Sequence, residues 1–114
     1  MMRIEAFIQP HRMSRIVTAL HSLPRFPGFT VFDAHGQGPG RGAGGHYDYA
    51  EDSVLHHRHS VLVVICEDED EPVLTNVIVQ AAHTGKRGDG IVVVSPVSRV
   101  IRIRDVAAPS GGAT

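Results

Sequence analysis

Ten consecutive residues, Gly36 to Gly45, include six glycines and divide the chain into two parts. Glycine has no side chain to pack and loses the most conformational freedom on ordering, so this run cannot belong to a core. A structureless stretch of about twenty residues inside a small domain is uncommon, and such loops are as a rule functional or disordered. The segment from Gly36 to roughly Arg58 is therefore predicted to be a mobile loop, with the core built from what flanks it.

Before the loop, Ile4, Ala6 and Ile8 alternate with Arg3, Glu5, Phe7 and Gln9, the period of a strand, which Pro10 should end. Met13, Ile16, Val17, Leu20 and Leu23 follow the spacing of an amphipathic helix, stopped by Pro24 and Pro27-Gly28. Thr30, Val31 and Phe32 begin a second strand. After the loop, Val61 to Cys66 is short and β-branched enough for a central strand. The acidic run Glu67 to Glu71 leads into Pro72, which suits the first helical position. Val73, Val77, Ile78 and Ala81 are expected to form that helix's buried face, and Gly85 to end it. Ile91 to Val94 and a last strand, Val100 to Arg104, complete the order. The pattern is β-α-β-loop-β-α-β, a ferredoxin-like α+β fold with both helices on one sheet face. The nearly all-apolar strand Val61 to Cys66 implies burial on both sides, hence an oligomer closing over the other face. Residues 1–106 form the predicted domain, with the loop at about 37–58 and a frayed tail at 107–114.

Bulk properties exclude several functions. With 114 residues the chain has enough sequence for one modest core. Its 11 basic and 12 acidic residues give a net charge of −1, which points to neither nucleic acid nor an anionic membrane. No apolar stretch approaches the ~20 residues that span a bilayer. The chain opens with strand-like alternation where a signal peptide would need an apolar run, and Cys66 has no partner for a disulfide. A cytoplasmic location is expected. No nucleophile–base pair or paired carboxylates can be recognised, so catalysis is not expected beyond slow ATP hydrolysis.

The chemistry concentrates toward the C-terminus. In Thr84-Gly85-Lys86-Arg87-Gly88-Asp89-Gly90, three glycines let backbone N–H groups turn toward an anion while Lys86 and Arg87 supply countercharge. This is not a Walker loop, and by itself it reads more readily as a tight turn with a solvated basic tip. Arg102 and Arg104, two apart on an expected strand, would share a face and clamp a phosphate, or else serve as charged gatekeepers on an edge.

Together these residues closely resemble the C-terminal signature of PII nitrogen-regulatory proteins. Ile4 to Pro10, Gly28-Phe29-Thr30-Val31 and Gly36-Gln37-Gly38 also resemble that family, with about one extra residue near Pro24 to Pro27. The resemblance covers nearly the whole chain. It implies a ferredoxin-like homotrimer that binds ATP or ADP, with AMP a third candidate and Mg²⁺ a companion, in clefts between subunits. Phosphates would lie on the backbone of Gly88, Asp89 and Gly90, with Arg102 and Arg104 reaching them from the neighbouring subunit. Gly36 and Gly38 would flank the site, and Thr30 and the backbone near Ile65 would approach the adenine. The loop would be the family's T-loop, which contacts a membrane transporter or metabolic enzyme. The resemblance implies no nucleic-acid partner and no membrane insertion.

The chain departs from the family at four places. Ile91 stands where a phosphate-binding lysine is usual, and Gly38-Pro39-Gly40 replaces Gly-x-Gly-Arg-Gln. His59 replaces the lysine that pairs with 2-oxoglutarate, and Asp52 aligns with the tyrosine that some members uridylylate. These changes remove groups on which 2-oxoglutarate sensing and tyrosine modification depend.

Eight histidines are many for this length, and His35, His46, His56, His57 and His59 fall within 25 residues. Neutral imidazole suits Zn²⁺, Cu²⁺ or Ni²⁺, so His46, His56, His57 and His59 form a second candidate site. A solvated loop end is the plainer reading. One divergent PII group is linked with heavy-metal efflux, and Pro10-His11 and Ala82-His83-Thr84 resemble it. The alternative function is thus a metal-binding or metal-responsive trimer. His11 and His83 are expected in structural roles, Glu67 to Glu71 as a solvated helix start, and Cys66 as an inert core thiol.

Overall fold

The computed structural model describes residues 1–36 and 58–106. The predicted loop, apart from its two ends, and the tail lie outside the described residues. Six principal elements follow in chain order: β1 (Met2–Ile8), α1 (Met13–His21), β2 (Thr30–His35), β3 (Arg58–Cys66), α2 (Glu71–Ala82) and β4 (Gly90–Pro96). The strands form one antiparallel sheet in the order β2-β3-β1-β4. Each helix therefore links two strands that flank a third, which is the ferredoxin-like arrangement.

Register assigns every strand residue to a face. Ile4 stands opposite Val64 and Val94, and Ala6 opposite Leu62 and Val92. These residues join Ile8 and Cys66 beneath the helices, where α1 contributes Met13, Ile16 and Leu20 and α2 contributes Leu74, Ile78 and Ala82. Val17 and Leu23 pack at the margin of this core, as their spacing requires. Helix α1 stops at His21 in a tightened turn: the Leu23 N–H bonds the Leu20 carbonyl at 3.1 Å, and Pro24 bars continuation. Cys66 is buried, burial pushes its thiol pKa up, and it has the character of a core residue.

Three sequence expectations require correction. Val73 does not lie in the buried face of α2, being 57% exposed, whereas Leu74 and Ala82 are buried and Val77 and Ala81 lie at the margin. Seven of the residues from 73 to 82 are apolar, so periodicity permits either phase, and contact with α1 and the sheet selects one. The helix ends at Ala82, before Gly85, because His83 turns to an extended conformation (φ −68°, ψ 131°). Residues 100–104 form no strand. The Val97 N–H bonds the Met1 carbonyl at 3.0 Å; Arg102 is extended, and Ile103–Asp105 is a 3-10 turn closed by the Asp105 N–H on the Arg102 carbonyl at 3.0 Å. Every residue from Ser98 to Val106 is exposed, and Ile103 reaches 90%.

The acidic run forms a 3-10 turn, Asp68–Asp70, ahead of α2. Its charges sit where the helix dipole favours them, and Asp68 meets the Met1 amine at 2.8 Å while Asp70 meets Arg25 at 3.2 Å. Among the described residues no helix is long and apolar enough to cross a membrane.

Candidate functional site

The turn between α2 and β4 is held from within by one carboxylate. Asp89 accepts the Thr84 N–H at 2.8 Å, the Gly85 N–H at 2.9 Å, and the Thr84 hydroxyl. The Thr84 oxygen in turn accepts the Lys86 N–H at 3.1 Å. Hydrogen bonds to the charged form favour it, so the Thr84 hydroxyl, then the Thr84 and Gly85 amides, hold the Asp89 pKa down at about 2. The neighbouring His83 contributes in the same direction and partial desolvation opposes it.

Glycine is required here by the backbone. Gly85, Gly88 and Gly90 have φ of 84°, 88° and 104°. A Cβ on Gly88 would lie 2.9 Å from Gln9 Nε2, and one on Gly90 would collide with the Phe7 carbonyl oxygen. The turn therefore rests directly on the end of β1. Among the described residues, the N–H groups of Arg87 and Gly88 have no protein acceptor, that of Asp89 closes only a loose turn on the Lys86 carbonyl, and the Lys86 and Arg87 side chains are exposed beside them. Adjacent free donors with cations alongside make an anion-binding concavity.

The other candidates are spread over the sheet. Gly90 is opposite Ile8, Ile8 opposite Ser60, and Ser60 opposite Asp33, so the turn and the β2 end carrying Gly36 share one end of the sheet. Two strands separate them, roughly 14 Å at the usual spacing. Gly36 lies against His59, whose ring carbon Cδ2 would be 3.7 Å from a Cβ there. Thr30 pairs with Val63, which places Thr30 and Ile65 on the sheet face opposite the helices. Arg102 and Arg104 are exposed but are not related by a strand's two-residue repeat, so the expected clamp does not arise from strand geometry. Arg104 approaches Asp105 at 3.7 Å. A single chain thus does not gather these residues into one pocket. Gly38, His46, His56 and His57 lie outside the described residues. His59, on β3, is the one described member of the histidine set, and among the described residues no three potential ligands converge.

Among the described residues, nothing covers the sheet face away from the helices. Ile91 is 61% exposed, Phe32 47% and Val93 42%, and Phe7, Val63 and Ile65 lie between them in register. Val61 is nevertheless buried on this face, with Phe7 and Phe32 as its opposite neighbours. The one charged pair here is Arg3 with Glu5, 3.1 Å apart.

Sequence reasoning found the glycine turn but missed Thr84 as a participant and Gln9 as the floor under Gly88. The signal for Thr84 was its separation from Asp89 by five positions across a glycine turn, too short a pattern to stand alone.

A four-stranded ferredoxin-like sheet with two helices on one face and a glycine-built turn at one end is the architecture of a PII-type domain. The model for nitrogen regulatory protein P-II matches residues 1–107, and the chain belongs to this family of signalling proteins. The nitrogen regulatory protein P-II of Azospirillum brasilense is 38% identical over 91% of this chain and 92% of its own length. That of Rhizobium meliloti is 36% identical with the same coverage. Among solved structures, Arabidopsis thaliana PII bound to citrate superposes with a TM-score of 0.70 at 28% identity, covering 91% of this chain and 83% of that one.

Proposed function

We propose that this protein is a cytoplasmic, non-catalytic signalling trimer. Its adenine-nucleotide sites lie between subunits, and it regulates a transporter or metabolic enzyme through the loop at 37–58. In this reading residues 1–106 act as the signalling domain and 107–114 as its tail. The observation that carries the proposal is the turn at Thr84–Gly90, preorganised by its own carboxylate and presenting free N–H groups beside two cations. Gly88 and Gly90 seat the turn directly against Gln9 and the Phe7 carbonyl, which fixes its backbone ahead of any phosphate chain. The citrate on the Arabidopsis relative supports the view that the family's fold accepts compact polyanions.

The spread of Gly36, Thr30, Ile65, Arg102 and Arg104 over one chain supports a site shared between copies. The uncovered apolar sheet face offers the surface for assembly. With its arginines on a 3-10 turn that no described part of its own chain covers, the 99–106 segment is free to serve a neighbouring subunit. Asp89 is engaged by Thr84 and Gly85, so it does not fit as a Mg²⁺ ligand; a bound cation would depend on the nucleotide's own phosphates.

Calorimetric titration with ATP, ADP and AMP, with and without Mg²⁺, tests the reading. The expected result is micromolar binding near one nucleotide per subunit, lost in Arg102→Ala and retained when His56, His57 and His59 become alanine. No heat with any nucleotide would overturn it, and Zn²⁺, Cu²⁺ or Ni²⁺ binding abolished by the triple histidine variant would put the metal-responsive function in its place.

A further inference from the structure

An acidic residue in the middle of an anion-binding turn is a paradox: a carboxylate facing the ligand would repel it. The geometry resolves this, and we infer that Thr84 and Asp89 form an inward-facing hydroxyl–carboxylate relay that positions the anion-binding amides of Arg87, Gly88 and Asp89. The inference rests on the nucleotide reading for the identity of the anion, although the positioning itself does not require it.

Asp89 spends its charge on the near side of the turn. It takes two consecutive amides, Thr84 and Gly85, at the point where the chain leaves α2. These are donors that would otherwise compete for the ligand or for water. The Thr84 hydroxyl donates to the carboxylate and accepts from Lys86, so one proton donor and one oxygen join the two sides of the turn. The amides of residues 84, 85 and 86 are thereby turned inward, those of 87 and 88 are left without an acceptor among the described residues, and that of 89 is held only loosely by the Lys86 carbonyl. The switch from engaged to free donors falls between Lys86 and Arg87, just before the positive φ of Gly88. Thr84 and Asp89 are positioning residues on this account, and the Asp89 side chain does not touch the anion. The carboxylate also polarises the peptide units it holds, while three hydrogen-bond donors stabilise its charge within the turn.

Two readouts test the relay: nucleotide affinity, and amide hydrogen exchange resolved at Arg87, Gly88 and Asp89. Thr84→Val, which keeps the branched shape and removes the hydroxyl, should weaken ATP or ADP binding about tenfold or more. It should also speed exchange at those three amides while leaving exchange in β1 and β3 unchanged. Thr84→Ser should recover most of both. Thr84→Ala serves in place of the valine variant if that one does not fold. Unchanged affinity and exchange in Thr84→Val, or equal losses in the serine and valine variants, would overturn the relay. If the wild-type protein binds no nucleotide, the functional reading fails by itself and the exchange data alone decide the relay: faster exchange in the valine variant rescued by serine upholds it, and no difference overturns it.

Discussion

A methyl group on Gly90 would collide with the carbonyl oxygen of Phe7, so the first residue of β4 and the penultimate residue of β1 approach as only glycine allows. The contact is backbone to backbone, and neither side can rotate away. It closes the turn at Thr84–Gly90 onto the sheet and makes that turn part of the scaffold.

Three glycines with positive φ should consequently respond to alanine in graded fashion. Gly28 has φ 83° with nothing within 4 Å of a Cβ, so Gly28→Ala should cost only the backbone strain, ~1–2 kcal/mol. Gly88→Ala adds a contact with the movable end of Gln9 and should cost somewhat more. Gly90→Ala meets fixed backbone and should exceed about 4 kcal/mol or prevent folding. Chemical denaturation of the three variants gives the order directly, and equal effects at 28 and 90 would contradict it.

The phase of α2 can be checked in the same way. Leu74→Ala empties a core position and should destabilise by ~2–5 kcal/mol. Val73→Ala changes an exposed side chain and should stay within about 0.5 kcal/mol. Had the sequence-predicted face been correct, the two results would be reversed.

Asp89 links the turn to pH. Its pKa is held at about 2, below its ordinary value of 3.8, chiefly by the Thr84 hydroxyl. A depressed folded-state pKa means stabilisation that is complete above the unfolded value and is lost as pH falls through the folded one. The turn should therefore loosen between pH ~4 and ~2. An NMR titration of the Asp89 carboxyl carbon should show the low midpoint, and Thr84→Val should move it upward. A midpoint near 4 in the wild type would refute the hydrogen-bonded geometry.

Assembly should depend on the uncovered sheet face. Val93→Glu places a charge directly opposite Glu5 and beside Ile91, where like-charge repulsion and, once copies meet, desolvation would penalise it. Sedimentation equilibrium should find the wild type trimeric and this variant reduced to monomers, with its circular dichroism spectrum retained. A variant that remains trimeric would show that copies meet elsewhere.

Much of this protein was legible in its residues. Strict alternation in Ile4, Ala6 and Ile8 suffices for a half-buried strand, and Met13, Ile16 and Leu20 for the face of a helix, because each pattern fits one period only. Proline and glycine marked most boundaries through their backbone chemistry, and the Gly-Asp-Gly turn carried the family resemblance. What failed did so for definable reasons. In α2, apolar residues on neighbouring positions fit two helical phases, and only packing against α1 and the sheet selected Leu74 over Val73. At Val100 to Arg104, β-branched residues looked like a strand, but a strand needs a partner, and the β1–β4 pairing runs out at Met1 and Val97. The inward orientation of Asp89 was likewise beyond sequence, since a carboxylate's hydrogen-bond partners depend on where the chain returns in space. Local residue patterns set the four sheet strands, the two helices, their succession and the glycines that a turn needs; packing in three dimensions set helix phase, the fate of the C-terminal segment and the direction of each donor, because these depend on contacts between residues that the chain does not place side by side.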